Sequence, residues 1–158
     1  MKYLSKKTVV LLAIISGFLF VNQVKAQSNW EAGIRTDFDR VALDVTIPFK
    51  APRIHATATF SNNFTLGTYF DWLFSLDGGP TGLKFYPGVG PVFYFGNTFE
   101  LGVAGNFGAE YSFNFPLTIG FDWRPGFVIT DNFSWRDGNW GFMARFRFGQ
   151  GVKFSKAN

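Results

Sequence analysis

The sequence contains no cysteine and a single histidine, His55, and these absences exclude several kinds of site. Without cysteine there can be no disulfide framework and no thiolate ligands for a metal. One histidine is too few for a metal centre built on imidazole groups. We therefore expect neither a metal nor another cofactor. Charged residues are also scarce, at 16%.

Apolar and aromatic residues are abundant instead, at 47% and 20% of 158 residues. Such a composition provides ample surface to bury, which excludes a disordered chain. The length allows one ordinary domain.

Residues 1–26 have the three parts of a secretory signal peptide. A lysine-containing start precedes the apolar stretch 8–20, and small residues lie within 24–26. A membrane anchor needs roughly 20 apolar residues, so this stretch is too short for one. We expect cleavage before Gln27 and one domain over 27–158. Removing the leader's four lysines from the 15 basic residues leaves 11, equal to the 11 acidic residues. This balance gives no indication of a nucleic-acid partner.

From Trp30 onward, apolar and polar residues alternate with period two, which is typical of strands with two unlike faces. Eight such runs lie within 30–148, and a short tail, 149–158, follows. Turn-forming segments separate the runs. The only longer connection predicted is Thr130–Asn139. The pattern predicts an all-β domain of eight strands.

The composition of the two faces indicates where the apolar face points. The predicted mature chain has only four lysines, whereas solvated surfaces are rich in lysine and glutamate. The polar face consists mainly of small residues with a few charges of both signs, which suits an enclosed space. Aromatic residues gather at the ends of the runs, as at membrane interfaces. Because a sheet in lipid must close on itself, we predict an antiparallel, up-and-down transmembrane β-barrel of eight strands.

The chain resembles the small eight-stranded outer-membrane β-barrels of the OmpX and OmpA transmembrane-domain type. The resemblance covers Trp30–Phe148, and its most specific part is the last run, in which Asn139–Trp140–Gly141 is followed by alternating apolar residues up to Phe148. It implies a monomer in the outer membrane of a Gram-negative bacterium, surrounded by lipid and lipopolysaccharide. It also implies that the barrel-insertion machinery reads the last strand. Whether that strand ends at Phe148 or at Phe154, which has the same parity, stays open.

Three prolines, Pro87, Pro91 and Pro125, fall inside predicted strands although a closed barrel has no free edge. We expect bulges or rim positions there, with neighbouring glycines accommodating the bend.

Charged residues on the polar face are predicted to form an interior polar network. An eight-stranded barrel is only just wide enough for its side chains to fill it, so charges inside must pair. The predicted members are Glu31, Arg35, Asp44, Asp71, Lys84, Glu100, Glu110, Asp122, Arg124, Arg145 and Arg147. The alternative is that these charges line a narrow conduit for small solutes or ions.

Catalysis is not expected. His55 also points inward, but it begins a strand near a turn, and no serine lies in a Gly-x-Ser-x-Gly elbow. The loop residues Phe133, Trp135, Arg136 and Asp137 could form a surface contact site, or their aromatic rings could belong to the interfacial girdle.

The sequence therefore predicts a non-enzymatic outer-membrane barrel with a plugged interior and a structural or surface-interaction role. The narrow channel is the first alternative. The second is a soluble, lipocalin-like periplasmic barrel that binds an apolar ligand.

Overall fold

A computed structural model describes residues 30–49, 52–61, 63–130 and 133–149. No helix with the length and apolar character needed to cross a bilayer occurs in these ranges. The strands are β1 (Glu31–Thr36), β2 (Val41–Ile47), β3 (Arg53–Phe60), β4 (Phe64–Asp71), β5 (Leu83–Phe95), β6 (Phe99–Ser112), β7 (Leu117–Val128) and β8 (Ser134–Arg147). The predicted leader 1–26 and the proposed continuation of the last strand to Phe154 lie outside the described residues.

The eight strands form a closed antiparallel barrel in which each strand pairs with its neighbours in the chain. β1 closes the barrel by pairing with β8, from Glu31↔Arg147 to Thr36↔Phe142. The predicted all-β, up-and-down, eight-stranded fold is therefore confirmed. Closure leaves most of the sheet without the free edges along which open sheets aggregate.

The alternation along each strand separates an apolar outer face from a polar inner face. On β2, Leu43 is 46% exposed, whereas the adjacent Asp44 is completely buried. Large apolar side chains face outward on all eight strands. Examples, one from each strand in order, are Ile34, Leu43, Phe60, Phe70, Val89, Phe107, Phe121 and Phe142. The inner face buries charged and polar side chains, so the arrangement is the reverse of that in a soluble domain.

The barrel wall has two heights. β1 to β4 contain six to eight residues, whereas β5 to β8 contain 12 to 14. Since Phe142 pairs with the last residue of β1, residues 134–141 of β8 continue beyond β1 without a partner in it. The rim at the end where β1 ends and β8 begins is therefore lowest at the turn between β1 and β2.

The prolines are accommodated in two ways. At Pro125 the β7–β8 register shifts between Arg124 and Gly126, which is the predicted bulge. Gly138, on the partner strand, has a φ of +80° and lies against the Arg124 backbone. The prediction of bulges or rim positions is wrong for Pro87 and Pro91, because both lie inside β5 and the β5–β6 register is unbroken across them.

Pro87 and Pro91 avoid a bulge because their nitrogens face β4. The Pro87 carbonyl accepts a hydrogen bond from the Trp72 amide on that side, and in an antiparallel strand the nitrogen of the same residue points the same way. The β4–β5 ladder is interrupted opposite Gly90 and Pro91, although its register is the same before and after the gap. The missing donors are thus confined to one ladder.

The prediction of a long loop over Thr130–Asn139 is wrong, because β8 already begins at Ser134. Aromatic packing holds the start of β8 in place. The ring of Trp135 meets that of Phe127 edge-on, with centroids 4.5 Å apart. The longest connection is instead 72–82, at the end of the barrel where β1 begins and β8 ends.

Candidate functional site: the interior ionic network

His55 lies at the centre of the barrel, fully buried between two carboxylates. Its Nε2 is 2.6 Å from Asp44 Oδ1, and its Nδ1 is 2.7 Å from Asp71 Oδ2. Asp44 is on β2, His55 on β3 and Asp71 on β4, so the three groups link adjacent strands across the inner face. A carboxylate oxygen accepts hydrogen bonds, and both imidazole nitrogens can donate only when the ring is protonated. These two contacts fit a ring that donates from both nitrogens, and two donor groups also lie near the ring: the Asn106 amide nitrogen is 3.1 Å from Nδ1, and Arg124 Nη2 is 3.3 Å from Nε2.

Arg145 organises the half of the network nearer the end where β1 begins and β8 ends. This guanidinium, completely buried on β8, contacts three carboxylates from three other strands. Nε donates to Glu31 at 2.8 Å, Nη1 to Asp44 at 3.0 Å and Nη2 to Glu110 at 2.5 Å. Because β8 and β1 close the barrel, the bond between Arg145 and Glu31 also crosses the closure.

Arg53 joins this half from the first position of β3. Its Nη1 donates to Glu110 at 2.8 Å, and its Nη2 lies 3.3 Å from Asp71. The guanidinium also lies over the ring of Tyr86, 4.8 Å from its centroid. Arg53 therefore connects the Arg145 cluster with the carboxylate that holds His55.

The other half of the network is built on Asp122 of β7. Arg35 Nη2 lies 2.6 Å from one of its oxygens, and Arg124 Nη2 lies 2.7 Å from the other. Asn106 connects this half to the centre, since its amide nitrogen donates to Asp71 at 2.8 Å and its oxygen accepts from Arg124 at 3.1 Å. The groups thus form one continuous network from Glu31 to Arg35.

The arginines of this network are one fewer than its carboxylates. Four arginines (35, 53, 124 and 145) accompany five carboxylates (Glu31, Asp44, Asp71, Glu110 and Asp122). An imidazolium at His55 would supply a fifth positive charge. With a neutral ring these ten groups would carry a net charge of −1, and the nearest further cations are on Lys84 and Arg147, whose partners across the strands are Glu110 and Glu31. A buried charge without compensation is costly.

The structure brings eight of the eleven predicted network residues together and places three elsewhere. The eight are Glu31, Arg35, Asp44, Asp71, Glu110, Asp122, Arg124 and Arg145. Glu100 lies at the rim, where it pairs with Arg136 at 2.6 Å. Arg147 donates to the backbone carbonyls of Phe113 and Phe115, and Lys84 is half-buried with no ion-pair partner among the described residues.

Arg53 and Asn106 are network members that the sequence prediction missed. Arg53 lies between the predicted turn, which ends at Pro52, and the predicted strand, which begins at Ile54, although it falls on the same face as His55. Asn106 lies on the predicted polar face but is uncharged. Arg53 would have been found by continuing the inward-facing positions of β3 two residues back from His55. Asn106 would have been found by including amide side chains among the predicted interior groups.

The four predicted contact-loop residues are not together in a loop. Trp135, Arg136 and Asp137 belong to β8, and only Phe133 precedes it. The ring of Phe133 stacks on that of Phe127, with centroids 5.1 Å apart. The Trp135 indole donates to the Asp137 carboxylate at 2.7 Å. The two aromatic rings thus pack on the outer wall, as in the girdle interpretation.

Two cavities flank the network. The upper recess, about 300 Å³, lies at the end where β1 ends and β8 begins, and its lining includes Arg35, Arg40, Arg124 and Arg136 together with Asp37, Asp137 and Tyr94. The lower cavity, about 520 Å³, includes Arg53, Trp72, Lys84, Glu110 and Arg147. No group of three histidine or acidic side chains suited to a metal occurs within the described ranges.

Comparisons with known proteins give one structural likeness. No family model matches the chain, and no curated protein matches it. The structure is similar to the crystal structure of Neisserial surface protein A (NspA), with a TM-score of 0.48 and 9% sequence identity. The match covers 76% of this chain and 92% of the other. At that level the fold assignment rests on the strand pairing described above.

Proposed function

We propose that this chain is an integral outer-membrane β-barrel with a closed interior and a structural or surface-interaction role, and that it is not an enzyme. The observation that carries the proposal is the reversed polarity of the barrel. Apolar side chains cover the outside of all eight strands, while Asp44, His55, Asp71, Asp122 and Arg145 are completely buried. A soluble monomer rarely exposes a contiguous apolar patch of more than a few hundred Å². Hydrocarbon is the environment that such a surface fits.

The polar interior argues against a soluble, lipocalin-like binder. Such a protein needs an apolar cavity for its ligand, whereas this barrel is filled by ion pairs at its centre. The two flanking cavities are lined by arginines and other charged groups rather than by apolar side chains alone.

The same network favours a closed barrel over a channel. A conducting pore needs a continuous aqueous path. Here Asp44, His55 and Arg145 meet across the interior with no exposed surface, between the upper recess and the lower cavity. Opening a path would require separating these charges. A structural role for the network also accounts for His55, because both of its nitrogens are engaged by carboxylates.

The proposal includes partners of three kinds. Outer-membrane lipid and lipopolysaccharide would surround the apolar belt, and the barrel-insertion machinery would read β8. The barrel would be a monomer, since strand closure satisfies its sheet within one chain.

Gel migration with and without boiling, on separated membrane fractions, tests membrane residence. We expect the protein in the outer-membrane fraction, with a folded form that resists the detergent and shifts on boiling. Extraction into buffer without detergent would contradict the proposal.

Recording from planar bilayers tests closure separately. We expect no steady conductance from the wild type. Two variants form a matched pair. Arg145→Ala removes an ion partner at the centre of the network, whereas Arg40→Ala removes an ion partner exposed at the rim. Regular single-channel steps from the wild-type protein would favour the channel instead.

A further inference from the structure

We propose that the upper recess binds an amphiphile whose head carries a phosphate or another oxyanion and whose apolar chain lies outside the barrel beside the β1–β2 turn. The inference rests on the membrane residence proposed above. It goes beyond that role by assigning the recess a ligand. Three features support it: available arginine donors, a low side to the rim, and an exposed apolar surface next to that side.

Two arginines at the recess have nitrogen–hydrogen groups available for a ligand. Arg40 Nη2 lies 2.9 Å from Asp37, and Arg136 Nη2 lies 2.6 Å from Glu100. No acceptor among the described residues is bonded to the remaining side-chain nitrogens of either arginine. Both guanidinium-bearing side chains are 40% or more exposed, and exposed ion pairs contribute little stability. An incoming oxyanion can therefore share these guanidinium groups at little energetic cost.

The recess also holds these donors in position. The guanidinium of Arg136 lies over the ring of Tyr94, 4.4 Å from its centroid, which restricts its orientation. Arg35 and Arg124 lie at the floor, where both share Asp122, and the four arginines of the lining outnumber its two aspartates, Asp37 and Asp137. A planar guanidinium matches the oxygens of phosphate through two parallel hydrogen bonds, so an oxyanion is the chemistry these walls recognise.

The recess is least enclosed at the seam between β8 and β1. Residues 134–141 of β8 have no strand partner there, because the chain turns away from β8 after Thr36. Side chains provide the links across the seam: Arg35 Nη2 donates to the Asn139 carbonyl at 3.0 Å, and the Asn139 amide donates to Asp37 at 2.9 Å. A chain attached to a head group in the recess can leave over the low β1–β2 turn.

Phe38, in that turn, marks the path such a chain would take. Its side chain is 78% exposed, and its φ of +72° is uncommon for a bulky residue. The ring meets Phe142 edge-on, with centroids 5.7 Å apart, and Trp140 is exposed on the same strand. An exposed aromatic ring gains stability when an apolar ligand covers it.

Titration of the barrel in phosphatidylcholine nanodiscs tests the site, with three probes: inorganic phosphate, hexyl phosphate and hexanol. Binding is followed by isothermal calorimetry against empty nanodiscs, and folding is checked by the boiling-dependent gel shift. The variants are the double substitution Arg40→Gln/Arg136→Gln, which removes the head contacts, and Phe38→Ser, which removes the chain contact. Phe115→Ser, an exposed phenylalanine at the opposite end, is the matched control.

We expect saturable binding of hexyl phosphate, weakened at least tenfold by the double substitution and severalfold by Phe38→Ser, with no change in Phe115→Ser. Hexanol should not saturate the site. Equal affinity for inorganic and hexyl phosphate would overturn the amphiphile and indicate a free-anion site. Absence of saturable binding by a correctly shifting barrel would overturn the site alone, whereas a wild type without a gel shift would overturn the membrane proposal as well.

Discussion

His55 provides the sharpest test of the ionic network. We propose that His55 is an imidazolium that balances five carboxylates against four arginines; His55→Gln keeps a polar side chain of similar reach but removes that charge. Asp44 and Asp71, each within 2.7 Å of the ring, then lose the group between them, and their ion partners are Arg145, 3.0 Å from Asp44, and Arg53, 3.3 Å from Asp71. Breaking a buried ion pair by removing one partner costs about 3–5 kcal/mol. We expect a loss of unfolding free energy in that range.

Reversible urea unfolding in phospholipid vesicles, followed by tryptophan fluorescence, measures this loss. The double variant His55→Gln/Asp71→Asn is the matched control, because it removes one negative charge together with the positive one. It should recover a substantial part of the stability. Nitrogen NMR of the wild type should show protons on both His55 nitrogens. A single variant within about 0.5 kcal/mol of wild type, the scale of ordinary surface substitutions, would refute the charge argument.

Three further predictions concern other parts of the barrel. Arg145→Ala should lower the unfolding free energy by about 3–5 kcal/mol, whereas Arg40→Ala should lower it by less than about 1 kcal/mol. Equal losses in urea titrations would contradict a structural role for the network. Gly138→Ala should destabilise the barrel more than Gly78→Ala. Both glycines have a positive φ, but only at Gly138 would a Cβ lie 2.4 Å from backbone atoms. The midpoint temperatures of the gel shift compare the stabilities of the two variants. Val89→Lys on the outer face should cost about 2–4 kcal/mol if that position lies at the bilayer midplane, and an unchanged urea midpoint would count against lipid contact.

Much of this fold can be predicted from the sequence because a strand repeats every two residues. Leu43 and Asp44 differ so strongly in hydropathy that parity alone places them on opposite faces of β2. The prediction fails where the period breaks. The β7–β8 bulge adds a residue between Arg136 and Asn139, and this irregular stretch looks like a loop although its backbone continues the strand.

The candidate site shows a different limit. Parity predicts that Asp44, Asp71 and Arg145 point inward, but it does not give their heights in the barrel, which depend on the stagger between strands. Glu100 has the correct parity for the network, yet it lies at the rim because β6 begins there. Lys84 similarly lies towards the opposite end, on the part of β5 that continues past its last β4 pair at Gly88.

Stagger also explains why the network and the recess occur in one molecule. Closing eight strands with an offset leaves β8 extending past β1, so one side of the rim is low while the centre is enclosed by all eight strands. Ion pairs therefore fill the enclosed middle, where an unpaired charge would be costly, while Arg40 and Arg136 lie at the rim, where water tolerates looser pairing. Arginine thus stabilises the barrel at its centre and remains available to the proposed ligand at the rim. The register between strands decides which of the two positions an arginine occupies.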